Sequence, residues 1–245
     1  MPAGSLGNIA QPTDQAFLVK EGRGSKLYDF SGNEYIDYLL GSGPMVLGHA
    51  HPAVVSAVRE AAERGSTYFH NNWPAVELAE EIIRAAPCAE QVRFTTSGTD
   101  ATFQCLRLAR AYRKRDKVLK FEGGFHGMHD YSHVSLSPRQ DQLGAFPTGT
   151  ATSGGIPRAV IDTVLVAPYN DLERTAAIVE EHKDELAAVI VEPFQRILTP
   201  AAGFLEGLRE LTLRHDIPLV FDEVVTGFRL AYGGAQEYYG VTPDL

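Results

Sequence analysis

Along the last two thirds of the chain, segments with the apolar pattern of a strand alternate with segments that have the apolar pattern of a helix. Short runs that are apolar almost throughout are typical of strands buried on both faces of a sheet. Such runs cover residues 164–166, 186–191 and 218–221, and two further strands that contain polar or charged residues are predicted at 92–96 and 117–121. Between them, apolar residues recur every three or four positions, as on one face of a helix; these helices cover 99–114, 172–183 and 204–214. The alternation predicts an α/β fold, with a mostly parallel sheet flanked by helices.

The first ninety residues show a different pattern. Short extended pieces at 17–20, 26–30 and 35–38 are separated by turn residues at 22–24 and 31–34, which predicts a small antiparallel meander. Two helices are predicted next, and they cover residues 53–64 and 76–86. Residues 122–160 are rich in Gly and Pro without periodicity, and a loop of that length is usually functional.

Composition narrows the class of protein. With 44% hydrophobic and 22% charged residues, the chain has the composition of a soluble globular protein rather than a disordered one. The net charge of −9 disfavours nucleic acid and membrane surfaces as partners. A basic stretch from Arg107 to Lys120 is interpreted as a solvated helix face followed by a turn. No apolar run approaches the roughly 18 residues of a membrane span.

Two further features predict the compartment. Residues 1–5 lack the profile of a signal peptide, and Cys88 and Cys105 are too few for a disulfide framework. We therefore expect reduced thiols and a cytoplasmic location.

Candidate chemistry lies where the predicted strands end, because ligands of parallel sheets bind at the carboxyl ends of the strands. Ser97, Gly98 and Thr99 open a helix and form either a phosphate cradle or a plain N-cap. Asp222 ends a buried strand and needs a partner, either a cationic ring nitrogen or Arg229.

Two more strand ends carry polar or glycine-rich segments. Phe125 and His126 stand among three glycines, which suits either a flat ligand stacked on a ring or a tight turn. Glu192 and Gln195 follow another strand and carry little information alone. Together the four strand ends suit a flat, phosphorylated, cationic heterocycle.

The sequence disfavours two other kinds of site, a metal site and a nucleotide site. His126, His129 and His133 have the spacing of a helical metal site, but their glycine-rich surroundings disfavour a helix, so we predict no metal. A nucleotide-binding protein that uses the Ser97–Thr99 cradle would need a ribose or magnesium signature, which the sequence does not contain.

At these residues the sequence resembles the class III pyridoxal-phosphate aminotransferases, most closely the glutamate-1-semialdehyde 2,1-aminomutase branch. The matching stretches are GPMVLGHAHP at 44–53, RFTTSGTDAT at 93–102, ARAYRKRDKVLKFEGGFHG at 109–127, PYNDLE at 168–173, VIVEP at 189–193, FDEVVTGFR at 221–229 and YGGAQEYYGVTPDL at 232–245. The resemblance implies pyridoxal 5'-phosphate as cofactor. It also implies the large domain of the aspartate-aminotransferase-like fold, pyridoxal-phosphate fold type I, here incomplete.

The resemblance implies a role for each site residue. Ser97, Gly98 and Thr99 would hold the phosphate, while Phe125 and Val224 would cover the two faces of the pyridine ring.

Other residues would meet the edge of the ring. Asp222 would pair with the ring nitrogen and Gln195 with the ring hydroxyl, and His126 stands at its usual place after the aromatic residue. Glu192 and Arg229 would support the site.

The substrate entrance would lie near Ser42, Gly43 and Pro44. The aminomutase branch typically has Trp where Ser42 stands, a small Gly- and Asn-containing run where residues 194–198 read FQRIL, and often Tyr where Phe125 stands. These departures favour a related transaminase over the aminomutase itself.

The family's Schiff-base lysine lies in a Gly-Lys segment shortly after the Thr-Pro-Asp-Leu stretch, which here occupies residues 242–245. None of the six lysines in the sequence stands in that context. We therefore expect the 245-residue chain to be inactive alone, with a non-catalytic fragment or interaction module as the alternative. The resemblance further implies an N-terminal segment (1–65) contributing to a small domain, a partial cofactor-binding large domain (66–245), small-molecule amino donors and acceptors, and a homodimer when full length.

Overall fold

The computed structural model describes Pro12 and residues 14–137 and 144–245. Residues 1–5, from which we expect no signal peptide, therefore lie outside the described residues. The chain divides into two units, residues 1–71 and 72–245, and each is described by itself. The domain boundary expected at residue 65 stays a prediction.

The first unit contains the predicted antiparallel meander. Its strands are β1 (Val19–Arg23), β2 (Lys26–Asp29) and β3 (Glu34–Ile36), in the order β1–β2–β3. Arg23 pairs with Lys26, so the turn between β1 and β2 consists of residues 24 and 25 alone. Gly22, which we expected in that turn, instead lies inside β1. Helix α1 (Pro52–Glu63) follows, as predicted.

The second unit is built around a parallel sheet. Its strands are β4 (Lys117–Phe121), β5 (Val164–Ala167), β6 (Leu186–Val191) and β7 (Leu219–Phe221), in the order β5–β4–β6–β7. Every pairing is parallel. The chain moves outward from β4 to β5, then crosses back over β4 to β6, so the connections diverge between β4 and β6. Ligand crevices form at such a switch point.

Helices cover both faces of this sheet. They are α2 (Trp73–Ala85), α3 (Gly98–Arg113), α4 (Arg158–Ile161), α5 (Leu172–His182), α6 (Phe204–Arg214) and α7 (Gly234–Tyr239). One buried cluster joins the sheet to α5 and α6, and a second joins it to α3. The two clusters divide the strand residues by alternation, as expected when both faces of a sheet are covered, except at Ala187 and Ala188 of β6, which share a cluster. The predicted α/β architecture is confirmed.

The strand expected at residues 92–96 is not a strand in the described structure. These residues form irregular chain beside a cleft of about 1010 Å³, which is also lined by α3, Asp244 and Leu245. A strand needs a hydrogen-bonded neighbour, and an open cleft provides none. The edge of β7 is instead bonded by Leu245, whose carbonyl accepts the N–H of Phe221 at 3.0 Å.

The basic stretch also differs from its interpretation. Lys117 and Lys120 lie on strand β4, which confirms the strand predicted at 117–121 and excludes the solvated turn expected for the basic stretch. Lys120 is 1% exposed. Arg110 on α3 places its guanidinium over the ring of Tyr131, 4.0 Å from the centroid.

The long loop after β4 folds back over the end of that strand. The N–H of Gly123 donates to the carbonyl of Ser135 at 2.9 Å, and the N–H of Ser135 donates to Thr150 at 2.6 Å. Residues 138–143 of this loop lie outside the described residues. Across the described part of the chain, no helix combines the length and apolar character needed to cross a membrane.

Candidate functional site at the carboxyl edge of the sheet

Side chains from three strand ends meet at the carboxyl edge of the sheet. The Gln195 Nε2 donates to the carbonyl of Glu122 at 2.8 Å, which joins the ends of β6 and β4. The N–H of Phe125 donates to Glu192 Oε2, also at 2.8 Å. These two hydrogen bonds bring together the segments that follow β4 and β6.

A buried His–Asp pair joins β4 to β7. His126 Nδ1 lies 2.8 Å from Asp222 Oδ2, and the two side chains are 2% and 4% exposed. An ionised carboxylate has only acceptors, so His126 donates its Nδ1–H. The other oxygen, Oδ1, accepts the N–H of Val224 at 3.2 Å. Sequence reasoning placed both residues in the site but did not pair them.

Three buried polar atoms at this edge have no hydrogen-bond partner among the described residues. They are His126 Nε2, Gln195 Oε1 and Glu122 Oε1. A Cβ built on Gly124 would lie 3.2 Å from the first and 3.5 Å from the second, so these two atoms border the same small space. Buried polar atoms are normally satisfied, and an unsatisfied pair in one place indicates a polar ligand.

The N-terminus of α3 lies beside this edge. Ser97 is a true N-cap, because its Oγ accepts the N–H of Asp100 at 3.2 Å. Gly98 leaves room for Val224, whose Cγ2 would be 2.9 Å from a Cβ at that position. The Thr99 Oγ1 accepts the N–H of Met128 at 3.0 Å. The first-turn N–H groups have no partner within the helix and carry partial positive charge, so the cap and an anion cradle are compatible.

The Phe125–His126 segment is fixed by residues that sequence reasoning missed. Thr102 on α3 donates its hydroxyl to the carbonyl of His126 at 2.6 Å. The N–H of His126 in turn donates to Ser132 Oγ at 2.9 Å. Gly127 lies so close to α3 that a Cβ would stand 2.6 Å from Thr99 Cα. Small polar residues in a glycine-rich loop and inside a helix gave no signal for these contacts.

His129 has a structural environment. Its Nδ1 accepts the N–H of Ser132 at 3.3 Å, and its Nε2 lies 3.2 Å from the Thr102 hydroxyl. Burial lowers the pKa of His129 to about 4, so the ring is neutral near pH 7. Within the described ranges, no three His, Cys, Asp or Glu side chains are grouped to hold a metal ion.

Carboxylates and apolar side chains complete the edge. Burial raises the pKa of Glu192 above its ordinary value. Phe125 and Val224 remain 39% and 61% exposed, which leaves apolar surface on the segments after β4 and β7. Arg229, the alternative partner considered for Asp222, donates its Nε–H to the carbonyl of Val225 at 3.1 Å.

The predicted substrate-entrance residues belong to the other unit. Ser42 and Gly43 have positive φ angles of 67° and 105°, within the irregular chain before α1. Their role at a substrate entrance stays a prediction.

The structure is that of an α/β protein with a candidate polar ligand site at the carboxyl ends of parallel strands, beside a helix N-terminus. Comparison with known proteins identifies the family. The chain matches Aminotransferase class-III over residues 9–245 and belongs to that family. The predicted family and fold are therefore confirmed.

Individual relatives agree with this assignment. The glutamate-1-semialdehyde 2,1-aminomutase of Methanocaldococcus jannaschii is 47% identical over 232 residues, which cover 94% of this chain and 53% of the relative. An omega-transaminase from Sphaerobacter thermophilus superposes with a TM-score of 0.92 at 37% identity, over 100% of this chain and 56% of that one. A solved transaminase with PLP bound gives 0.90 at 33% identity, with coverages of 100% and 57%. The chain thus spans about half the length of the curated relatives it matches.

Proposed function

We propose that this edge binds pyridoxal 5'-phosphate, as part of a class III enzyme that moves an amino group on or between small amino-acid or amino-aldehyde substrates. The observation that carries the proposal is the buried His126–Asp222 pair with unsatisfied polar atoms beside it. A buried carboxylate at this place suits a protonated ring nitrogen, and Gln195 Oε1 offers an acceptor for a ring hydroxyl.

The chain's own residues would divide the work of binding. The N–H groups of Gly98 and Thr99, with the Ser97 hydroxyl nearby, would hold the phosphate at the positive end of α3. Phe125 and Val224 would flank the ring with apolar surface.

Asp222 would keep the proton on the ring nitrogen, with its own orientation fixed by His126. When bound, the cofactor supplies a ring that accepts electrons as a bond at the substrate's α-carbon breaks. Glu192 would keep Phe125 in place through its bond to the main chain, and Arg229 would support the turn after Asp222. These roles are proposals that rest on the geometry above.

The finer activity is proposed from two kinds of relatives. Sequence identity supports an aminomutase-like enzyme, and the fold likeness to an omega-transaminase supports transfer between molecules. Small-molecule amino donors and acceptors, a homodimer and a cytoplasmic location remain predictions for the whole protein.

Calorimetric titration with pyridoxamine 5'-phosphate tests the proposal, because this form lacks the aldehyde and cannot react with surface lysines. We expect saturable binding that disappears with pyridoxamine, which has no phosphate. Asp222→Asn removes a charge-assisted bond worth about 1.5–3 kcal/mol, so affinity should fall about 10- to 100-fold.

Asp184→Asn is the matched control. Asp184 is exposed and precedes β6, at the opposite edge of the sheet, so its variant should bind like the unmodified chain. Equal affinity of Asp222→Asn and Asp184→Asn, or no binding by the unmodified chain, would refute the proposed function.

A further inference from the structure

A lysine is buried on the strand that leads into the proposed site. Lys120 lies on β4 one residue before the strand ends, and its side chain is among the largest that are fully buried. Its neighbours Val118 and Phe121 belong to the apolar core. A buried ammonium is strongly unfavourable unless hydrogen bonds and opposite charges compensate.

The ammonium is held by main-chain carbonyls of the loop that carries the site. Lys120 Nζ donates to the carbonyl of Ser132 at 3.0 Å and to that of Val134 at 2.6 Å. Ser132 is also the residue whose hydroxyl accepts the N–H of His126. Ser132 therefore connects the two residues, because its carbonyl accepts from Lys120 and its hydroxyl from the main chain of His126, whose imidazole bonds Asp222.

Burial and nearby charges together set the pKa of the Lys120 ammonium. Burial lowers the pKa of Lys120 to about 7, with a smaller lowering from Arg196, while the carboxylates of Glu122 and Glu192 act in the opposite direction. The group therefore loses its charge within the range of pH in which a protein stays folded.

We propose that Lys120 is a positioning residue, whose ammonium fixes the backbone at Ser132 and Val134 and thereby holds the His126 imidazole against Asp222. Lys120 touches neither cofactor nor substrate in this account. The link to ligand affinity rests on the proposed function, whereas the link to His126 does not.

The Lys120→Met variant separates positioning from bulk stability. Methionine fills a similar volume without donors, and replacing a buried charge by an apolar side chain is often neutral for stability. Lys117→Met is the matched control, because Lys117 starts the same strand and pairs with Glu185 at 2.9 Å, away from the site.

The first measurement uses the ligand-free protein. In proton NMR, the Nδ1–H of a buried His–Asp pair gives a resolved downfield signal, and amide exchange reports the order of residues 125–134. We expect Lys120→Met to lose the signal and at least tenfold of the exchange protection with an unchanged far-UV circular dichroism spectrum, and Lys117→Met to retain both. Retention of both by Lys120→Met would overturn the proposal.

The second measurement is the affinity for pyridoxamine 5'-phosphate at pH 6 and pH 9. We expect Lys120→Met to bind at least tenfold more weakly than the unmodified chain at pH 6, with a smaller ratio at pH 9, where Lys120 is uncharged. A ratio that does not change with pH contradicts a role for the ammonium.

Two outcomes remain distinguishable from these. If Lys120→Met does not fold, the unmodified chain alone decides: its His126 signal and loop protection should weaken from pH 6 to pH 9, and a constant signal overturns the proposal. If the unmodified chain does not bind the ligand, the proposed function fails, and the ligand-free measurements still test Lys120.

Discussion

The close approach of Gly127 to helix α3 leads to a quantitative prediction. Gly127 has a φ of 97°, and a Cβ there would lie 2.6 Å from Thr99 Cα. Gly155 has a similar φ of 92° but would meet nothing within 4 Å. The pair of variants Gly127→Ala and Gly155→Ala therefore separates the contact with α3 from the backbone strain that both share.

The expected magnitudes follow from these two terms. A side chain at positive φ costs about 1–2 kcal/mol in either variant. Carbon atoms in contact stand about 3.5–4.0 Å apart, so the loop and α3 must separate by about 1 Å in Gly127→Ala. Overpacking of that kind adds about 1–3 kcal/mol. At about 2–4 °C per kcal/mol for a domain of this size, Gly127→Ala should unfold about 2–12 °C below Gly155→Ala.

Thermal unfolding followed by circular dichroism measures this difference, and titration with pyridoxamine 5'-phosphate measures its effect on the site. Because Thr99 and His126 flank the contact, Gly127→Ala should also weaken binding, whereas Gly155→Ala should not. Equal melting temperatures and equal affinities for the two variants would show that the loop does not rest on α3 as described.

Two further predictions concern side chains that fix the site. Thr102→Val leaves the carbonyl of His126 without its donor, so the free energy of unfolding should fall by about 2 kcal/mol in urea denaturation. The control is Thr199→Val at an exposed position, which should change the free energy of unfolding by under about 0.5 kcal/mol. Burial raises the pKa of Glu192 above its ordinary value of 4.5, so the folded state binds more protons than the unfolded state. The free energy of unfolding therefore falls as the pH rises above 4.5. Glu192→Gln lacks this loss, so its melting temperature relative to the unmodified chain should rise from pH 4 to pH 7; a constant difference would contradict the assigned burial effect.

The architecture was predictable because burial on two faces leaves a clear trace in sequence. Strands β5 to β7 are apolar runs, β4 carries two lysines among apolar residues, and each strand lies within a residue or two of its expected position. Parallel pairing then implies that their carboxyl ends share one edge, so the sequence alone predicts His126, Gln195 and Asp222 in one site.

The wrong and missed predictions have a common physical cause, because each of these features depends on which residues are neighbours in space. Residues 92–96 have the composition of a strand but no hydrogen-bonded neighbour in the described structure. The His126–Asp222 pair requires the order β4–β6–β7 and a loop that reaches across β6, and neither is written in local periodicity. Lys120 belongs to a basic stretch that looks solvated, yet the alternation along β4 turns it inward onto loop carbonyls.

Residues that match the class III pattern are buried, whereas several positions that depart from the aminomutase branch are exposed. Asp222 and Gln195, which match the family pattern, are almost fully buried and held by hydrogen bonds. Three of the departing positions lie at the surface: Ser42 and Phe125 are exposed, and Ile197 is 88% exposed. A substitution at an exposed position changes what the surface contacts without disturbing the buried frame. Ser42 and Ile197 take no part in the proposed cofactor site, so we expect their exchange for the aminomutase residues to leave pyridoxamine 5'-phosphate affinity within about twofold in calorimetric titration.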